Sequence, residues 1–230
     1  DIAVYGQLLL SVGEATDAIV GFRFDDDSDA GSSYVPRLGL VRRVGDSTYL
    51  KLLYAEAYRS PDFFEKEVET FDVLYGSSDL DPERTRNFDL ALDTTFGERL
   101  NLQINAFLLT TSDLIVRVPT SNPADHGVNA VEYTNSGGDE IWGLEASLTA
   151  RPAEAGKLFA NYSFREGEDR RSGAELDDIA NHTFNLGFSW RISSAVGFKP
   201  NLQYAGDRDS VDGYALINAV VTLALGEDLS

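Results

Sequence analysis

The chain has no cysteine and no methionine, and its only histidines are His126 and His182. Without thiols there is no disulfide, no thiolate metal site and no cysteine nucleophile, and two imidazoles are too few for a multi-histidine metal centre. Cations are scarce as well: 19 Lys+Arg stand against 38 Asp+Glu in 230 residues, a formal charge of −19. Nucleic acid is therefore not an expected partner, because phosphate binding draws on clustered Lys and Arg. Hydrophobic residues make up 43%, yet no apolar run approaches the ~18 residues of a membrane-spanning helix. If this protein lies in a membrane, it must do so as strands. The start, Asp1-Ile2-Ala3-Val4-Tyr5, carries neither a basic region followed by an apolar one nor an initiator methionine, and reads as mature or as excised from something longer.

What the chain does have is period-2 alternation from end to end, the pattern of half-buried strands. Phe184, Leu186, Phe188 and Trp190 interleave with Asn185, Gly187, Ser189 and Arg191. Phe88, Leu90 and Leu92 oppose Asp89 and Asp93, the run Leu100 to Leu108 opposes Asn101, Gln103 and Asn105, and Phe198 to Tyr204 opposes Lys199 and Gln203. One face of these strands is free of charge and the other is hydrophilic. Extending the pattern predicts about eleven strands, near 2–10, 18–25, 34–43, 48–58, 84–95, 99–112, 139–150, 157–165, 182–191, 196–205 and 213–225.

The connectors alternate in length. Ser11–Asp17, Val44–Ser47, Phe96–Glu98, Arg151–Gly156 and Ile192–Ala195 are short, whereas Asp26–Ser33, Arg59–Glu83, Asp113–Gly138, Glu166–Asn181 and Gly206–Asp212 are long. Short turns at one end and long loops at the other are the signature of an outer-membrane barrel. The expected strands also exceed the five or six residues usual in soluble sheets and match the ~9–11 of a tilted membrane strand. Tyr54, Tyr58, Trp142, Trp190 and Tyr204 sit toward strand ends, as an interfacial aromatic girdle requires. The expectation is an all-β fold, an antiparallel up-and-down transmembrane β-barrel. The competing fold is a soluble acidic β-sandwich of carbohydrate-binding type, whose uncharged faces would pack on each other.

IVGFRFDDDSDAGSSYVPRLGLVRRV, starting at Ile19, resembles the strand, acidic loop and Pro-Arg strand of TonB-dependent outer-membrane receptors. YLKLLYAEAYRSPDFFE, starting at Tyr49, is similar to that family's Tyr-Gly-Glu-Ala-Phe-Arg-Ala-Pro signature, with Ala55 and Tyr58 as departures. DLDPERTRNFDLAL follows, resembling the family's Pro-Glu segment leading into an Asn-x-Glu-x-Gly strand, with Asp89 at the usual Glu and Ala91 at the usual Gly. GLEASLTARP at 143–152 and DGYALINAVVTLAL at 212–225 resemble later strands. The resemblance implies about eleven strands of a larger, plugged barrel, with residues 1–230 one barrel segment and the plug and last strands outside it. It further implies location in the cell outer membrane among its lipids and uptake of a scarce ligand, such as an iron–siderophore or similar metal complex. A TonB-type energy-coupling protein would act through the plug. No enzymatic role is implied.

Lumen or rim residues expected to meet ligand are Arg59, Arg37, Asp89 and Arg165. Arg59 shares an inward phase with Lys51, Leu53, Ala55 and Ala57, and its bland role is an inward salt bridge with Glu83. Glu56 falls in the outward phase, which calls for the rim or a bulge, since charge on the lipid face is costly. Asp25, Asp27 and Asp29 alternate in a way that could gather oxygen ligands around a structural calcium, but Ala30 and Pro36 stand where an EF-hand needs Gly and Glu. A solvated acidic loop accounts for them, and no cofactor is required. An outer-membrane hydrolase would use His182 as base with Ser163 or Ser189, though no nucleophile motif surrounds either serine.

Overall fold

A computed structural model describes residues 2–28, 31–153 and 156–224. In chain order the elements are β1 (Ile2–Val12), β2 (Thr16–Asp27), β3 (Gly31–Gly45), β4 (Thr48–Arg59), α1 (Phe63–Glu67), β5 (Glu69–Thr70), β6 (Leu74–Tyr75), β7 (Glu83–Phe96), β8 (Leu100–Ser112), β9 (Ile115–Pro119), α2 (Pro123–His126), β10 (Val131–Asn135), β11 (Asp139–Ala153), β12 (Gly156–Asp169), β13 (His182–Arg191), β14 (Val196–Ala205) and β15 (Tyr214–Leu223). Eleven of the strands form one antiparallel meander in the order β1-β2-β3-β4-β7-β8-β11-β12-β13-β14-β15. The sheet is open, with β1 and β15 at its edges. Among the described residues no other sheet packs on its apolar face, and the sandwich reading falls.

Alternation sets the register. Across the ladder Leu10, Ala18, Leu40, Leu52, Leu90, Ala106, Leu144 and Phe164 stand side by side on one face. On the other, Arg43, Tyr49, Asp93, Gln103, Ser147, Asn161, Asn185 and Gln203 form a hydrophilic row. The first row starts beside the β1–β2 turn and climbs to the far end of β12, the stagger expected of strands that tilt as they wrap a barrel. Leu52 and Leu90 keep about half of their surface open (49% and 50%) because the apolar face meets no protein; an exposed apolar face of this kind suits lipid hydrocarbon.

Local chemistry explains the edges of this pattern. The short turns after β1 and β7 use Gly13 and Gly97 at φ 69° and 59°, where a side chain would be strained. The β3–β4 ladder ends at Arg37, next to Pro36, which has no N–H to donate, and the β13–β14 ladder skips the Pro200 level for the same reason. Two lumenal rings lie over glycines directly opposite: Phe107 covers Gly143 and Phe159 covers Gly187, leaving no room for a Cβ at either glycine. Such pairs fill the gap a glycine leaves and pin the register.

Two expected loops contain structure that alternation did not reveal. Residues between β4 and β7 and between β8 and β11 combine into a second sheet, β5-β6-β10-β9, accompanied by α1 and α2. The buried apolar residues among those described, Tyr75, Leu80, Ala130 and Ala180, all lie in the long loops. Among the described residues the dry core thus lies outside the barrel strands, in the loops that cap the mouth. Strands β6 and β10 pair in parallel, joining the two loops into one body.

Candidate functional site

The cap is anchored to the rim by Arg59, the last residue of β4. Its guanidinium donates to Glu83 Oε2 and Oε1 (2.7 and 2.9 Å) and to Glu65 Oε2 and Oε1 (3.0 and 3.1 Å). Fork geometry suits two carboxylates taken bidentately. Glu65 closes the capping box of α1 with Asp62, accepting from the Asp62 N–H while Asp62 accepts from the Glu65 N–H. Glu83 also accepts from the Ile115 N–H at 2.9 Å, so one carboxylate reaches the second long loop. Asn135 ties the same loops again: its amide oxygen accepts from the Asp81 N–H, and its amide nitrogen donates to the carbonyls of Asp81 and Asp113.

Deeper in the cap the His126 ring stacks on Tyr75 with centroids 3.8 Å apart and planes 8° from parallel. The Thr120 hydroxyl lies 2.9 Å from His126 Nδ1 and 2.8 Å from Glu132 Oε2. Burial pushes the Glu132 carboxyl up, but the Ser121 N–H, with the hydroxyls of Ser121 and Thr120, outweighs it and holds Glu132 below the usual carboxylate range.

Below the cap, the hydrophilic face curves around a cavity of about 540 Å³ lined by Lys51, Asp93, Gln103, Asn105, Glu145 and Asn161, among others. Asp93 accepts from Lys51 Nζ (3.2 Å), Asn101 (2.9 Å) and Gln103 (3.4 Å), and Asp89 from Asn87 and Asn105. Amides and hydroxyls rather than unpaired charges make most of this wall. A polar solute would find many exchangeable donors and acceptors there.

The four residues expected to meet ligand are distributed, not clustered. Asp89 and Arg165 share one inward row, Leu53–Asp89–Phe107–Gly143–Arg165. Arg37 faces inward at the level of Ala55 and Asn87, one step nearer the mouth. Arg165 Nε donates to the Ala180 carbonyl at 3.3 Å, whereas Arg37 is exposed and has no ion-pair or hydrogen-bond partner among the described residues. Arg59 is saturated by Glu65 and Glu83. Glu65 and the cap residues Asn135, Glu132 and Tyr75 escaped the alternation pattern, although the spacing Asp62-x-x-Glu65 was a readable capping signal.

Glu56 is settled as a rim residue: the β4–β7 register runs unbroken through Glu56 opposite Arg86, so there is no bulge. The Tyr54 hydroxyl donates to Glu56, and Arg86 Nε lies 3.7 Å away. The carboxylate of Asp25 is clamped by Arg23 at 2.6 and 2.7 Å and also accepts from Tyr58. Asp27 ends β2 and Asp29 lies outside the described residues, among which no group of three or more His, Asp or Glu side chains is placed to hold a metal ion. The serine–histidine pairing needs correction. His182 stands beside Phe164 on the outward face, with Nδ1 2.8 Å from the Tyr162 hydroxyl, while Ser163 and Ser189 belong to the opposite, inward phase.

A sheet of this geometry has close counterparts. The family model for TonB dependent receptor-like β-barrels matches residues 1–230. The iron-regulated outer membrane virulence protein of Vibrio cholerae is 27% identical over 89% of this chain and 35% of its own length. The ferrienterobactin receptor of Escherichia coli is 24% identical over 84% of this chain and 28% of its own. Among solved structures, the siderophore receptor PirA from Pseudomonas aeruginosa superposes with a TM-score of 0.79 at 18% identity, covering 98% of this chain and 40% of that one. The copper transporter OprC has the same fold at a TM-score of 0.75 and 15% identity, over 98% of this chain and 40% of its own. The chain thus spans roughly a third of the curated relatives it matches. Matched along its whole length, with a lipid-facing apolar surface and a polar inner wall, the chain belongs to the TonB-dependent receptor family, as part of its outer-membrane β-barrel.

Proposed function

We propose that this chain forms the wall and part of the mouth of a receptor that takes up an iron–siderophore or similar metal complex, with energy supplied by a TonB-type partner. The cap narrows the approach, the amide-rich inner face offers hydrogen bonds to a polar chelate, and Arg37 supplies a cation just below the mouth. The observation that supports this reading is the unengaged guanidinium of Arg37, held on a rigid strand among neutral neighbours, Gly21 and Ala55. Ferric catecholate chelates are anionic, and a desolvated Arg contact to such a ligand is worth several-fold in affinity. Arg165 and Asp89 would line the path beneath it. The reaction class is transport, with no bond made or broken by His182 or its neighbours.

The test is binding and uptake of ferric enterobactin by the whole receptor in an outer-membrane strain. Arg37→Ala is expected to weaken binding about tenfold or more while leaving barrel assembly intact, as removing a charge-assisted hydrogen bond does. Unchanged affinity in Arg37→Ala, together with unchanged affinity in Arg165→Ala, would remove both residues from the site. Failure of the wild-type receptor to bind any ferric chelate would remove the cargo assignment itself.

A further inference from the structure

The outward face changes character at one level. Tyr54, Phe88, Leu108 and Trp142 form its last apolar row, with the Tyr54 and Phe88 rings 4.6 Å apart at their centroids. One row nearer the mouth stand Glu56, Arg86, Thr110 and Glu140, and above them Tyr58, Arg84 and Ser112. The aromatic row marks the membrane interface, so Arg84 and Arg86 point outward at the height of the outer-leaflet headgroups, and not into the lumen.

In a chain of formal charge −19, two outward arginines two residues apart on one strand are conspicuous. The Arg86 side chain is 55% exposed, and its recorded partner is Glu56 at 3.7 Å, which the Tyr54 hydroxyl already engages. Arg84 has no ion-pair or hydrogen-bond partner among the described residues. Thr110 and Ser112 flank the pair on β8 with hydroxyls. Glu140 lies two strands from Arg86, about 10 Å away at ordinary strand spacing, too far to neutralise the pair.

We propose that Arg84 and Arg86, flanked by Thr110, hold a phosphate of the phosphorylated glycolipid that makes up the outer leaflet, fixing this part of the wall to its surrounding lipid. Guanidinium forks match phosphate oxygens, and cations next to a membrane interface gain from anionic headgroups. The acyl chains of the same lipid would lie along Phe88, Leu90 and Leu92 directly below. The assignment is independent of the transported ligand, because both arginines face away from the lumen.

The experiment compares the whole receptor in detergent with added bisphosphorylated lipid A, with the same lipid A after enzymatic dephosphorylation, and with inorganic phosphate, reading bound lipid by native mass spectrometry. The wild type is expected to prefer the phosphorylated form, and R84Q/R86Q to lose about 30-fold of that preference, as two interfacial cations contribute. R84K/R86K should keep most of it. Equal binding of the two lipids by the wild type, or full preference in a folded R84Q/R86Q, overturns the assignment. Displacement of lipid A by inorganic phosphate at low concentration also overturns it, since the site would then be one for a free anion. Should R84Q/R86Q fail to fold, the two-lipid comparison on the wild type still decides.

Discussion

Replacing Arg59 by leucine should loosen the cap while sparing the barrel. Arg59 makes four charge-assisted hydrogen bonds to Glu65 and Glu83, whose side chains are 13% and 18% exposed. Removing one partner of a buried ion pair costs ~3–5 kcal/mol, mostly through the charges left behind. The Arg59 side chain is itself 46% exposed, so solvent screening lowers the expectation to about 2–3 kcal/mol. At ~1.4 kcal/mol per tenfold, that is a roughly 30- to 150-fold larger population of the open cap. Hydrogen exchange in detergent micelles reads it directly: amides in β9, β10 and α1 should lose protection by that factor, and those in the centres of β7 and β8 should not change. Adding E65Q and E83Q to R59L removes the stranded charges and should restore part of the loss. If R59L left cap exchange within twofold of wild type, or if barrel and cap lost protection equally, the pin at the rim would be refuted.

Other perturbations test the remaining assignments. Leu52→Arg places a charge on the lipid face near mid-membrane and should cost ~2–4 kcal/mol in bilayer refolding titrations, whereas Leu53→Arg, one residue along but facing inward, should cost little; equal costs would invert the assigned faces. Gly187→Val drives a side chain into the Phe159 ring and should destabilise by ~1–3 kcal/mol, an effect that Phe159→Ala in the same chain should largely relieve in a double-mutant cycle. Glu132, held below the usual range in the folded cap, binds its proton more readily when the cap opens. Its contribution to stability is therefore complete above the unfolded carboxylate value of about 4.3 and is lost as pH falls through that value toward the lower folded one. Tyr75 fluorescence followed from neutral to acidic pH should report cap opening, and Glu132→Gln should flatten its pH dependence below about pH 5.

The barrel wall was legible because each membrane strand needs one apolar face, and residues such as Leu50, Leu52, Leu90 and Leu92 show that need at a spacing of two. Inward placement of Lys51 and Asp93 followed from the same phase. The cap was not legible, because β5 and β6 are two residues each and β6 gains its second partner from β10, more than fifty residues away, so no local period marks them. The role of Arg59 was half visible: Glu83 lay in phase, but Glu65 reaches it only through the fold of the intervening loop. The phase of Ser163 and Ser189 relative to His182 was misjudged by one residue, and in a strand one residue is the whole thickness of the sheet.

The parallel seam between β6 and β10 carries a lesson for engineering. These two loops leave the membrane on either side of the β7–β8 hairpin, yet neither owns a complete folded unit. Transplanting one of them onto a sister receptor would expose half a sheet and strand its tether, so hybrids that exchange specificity should carry both as a single module.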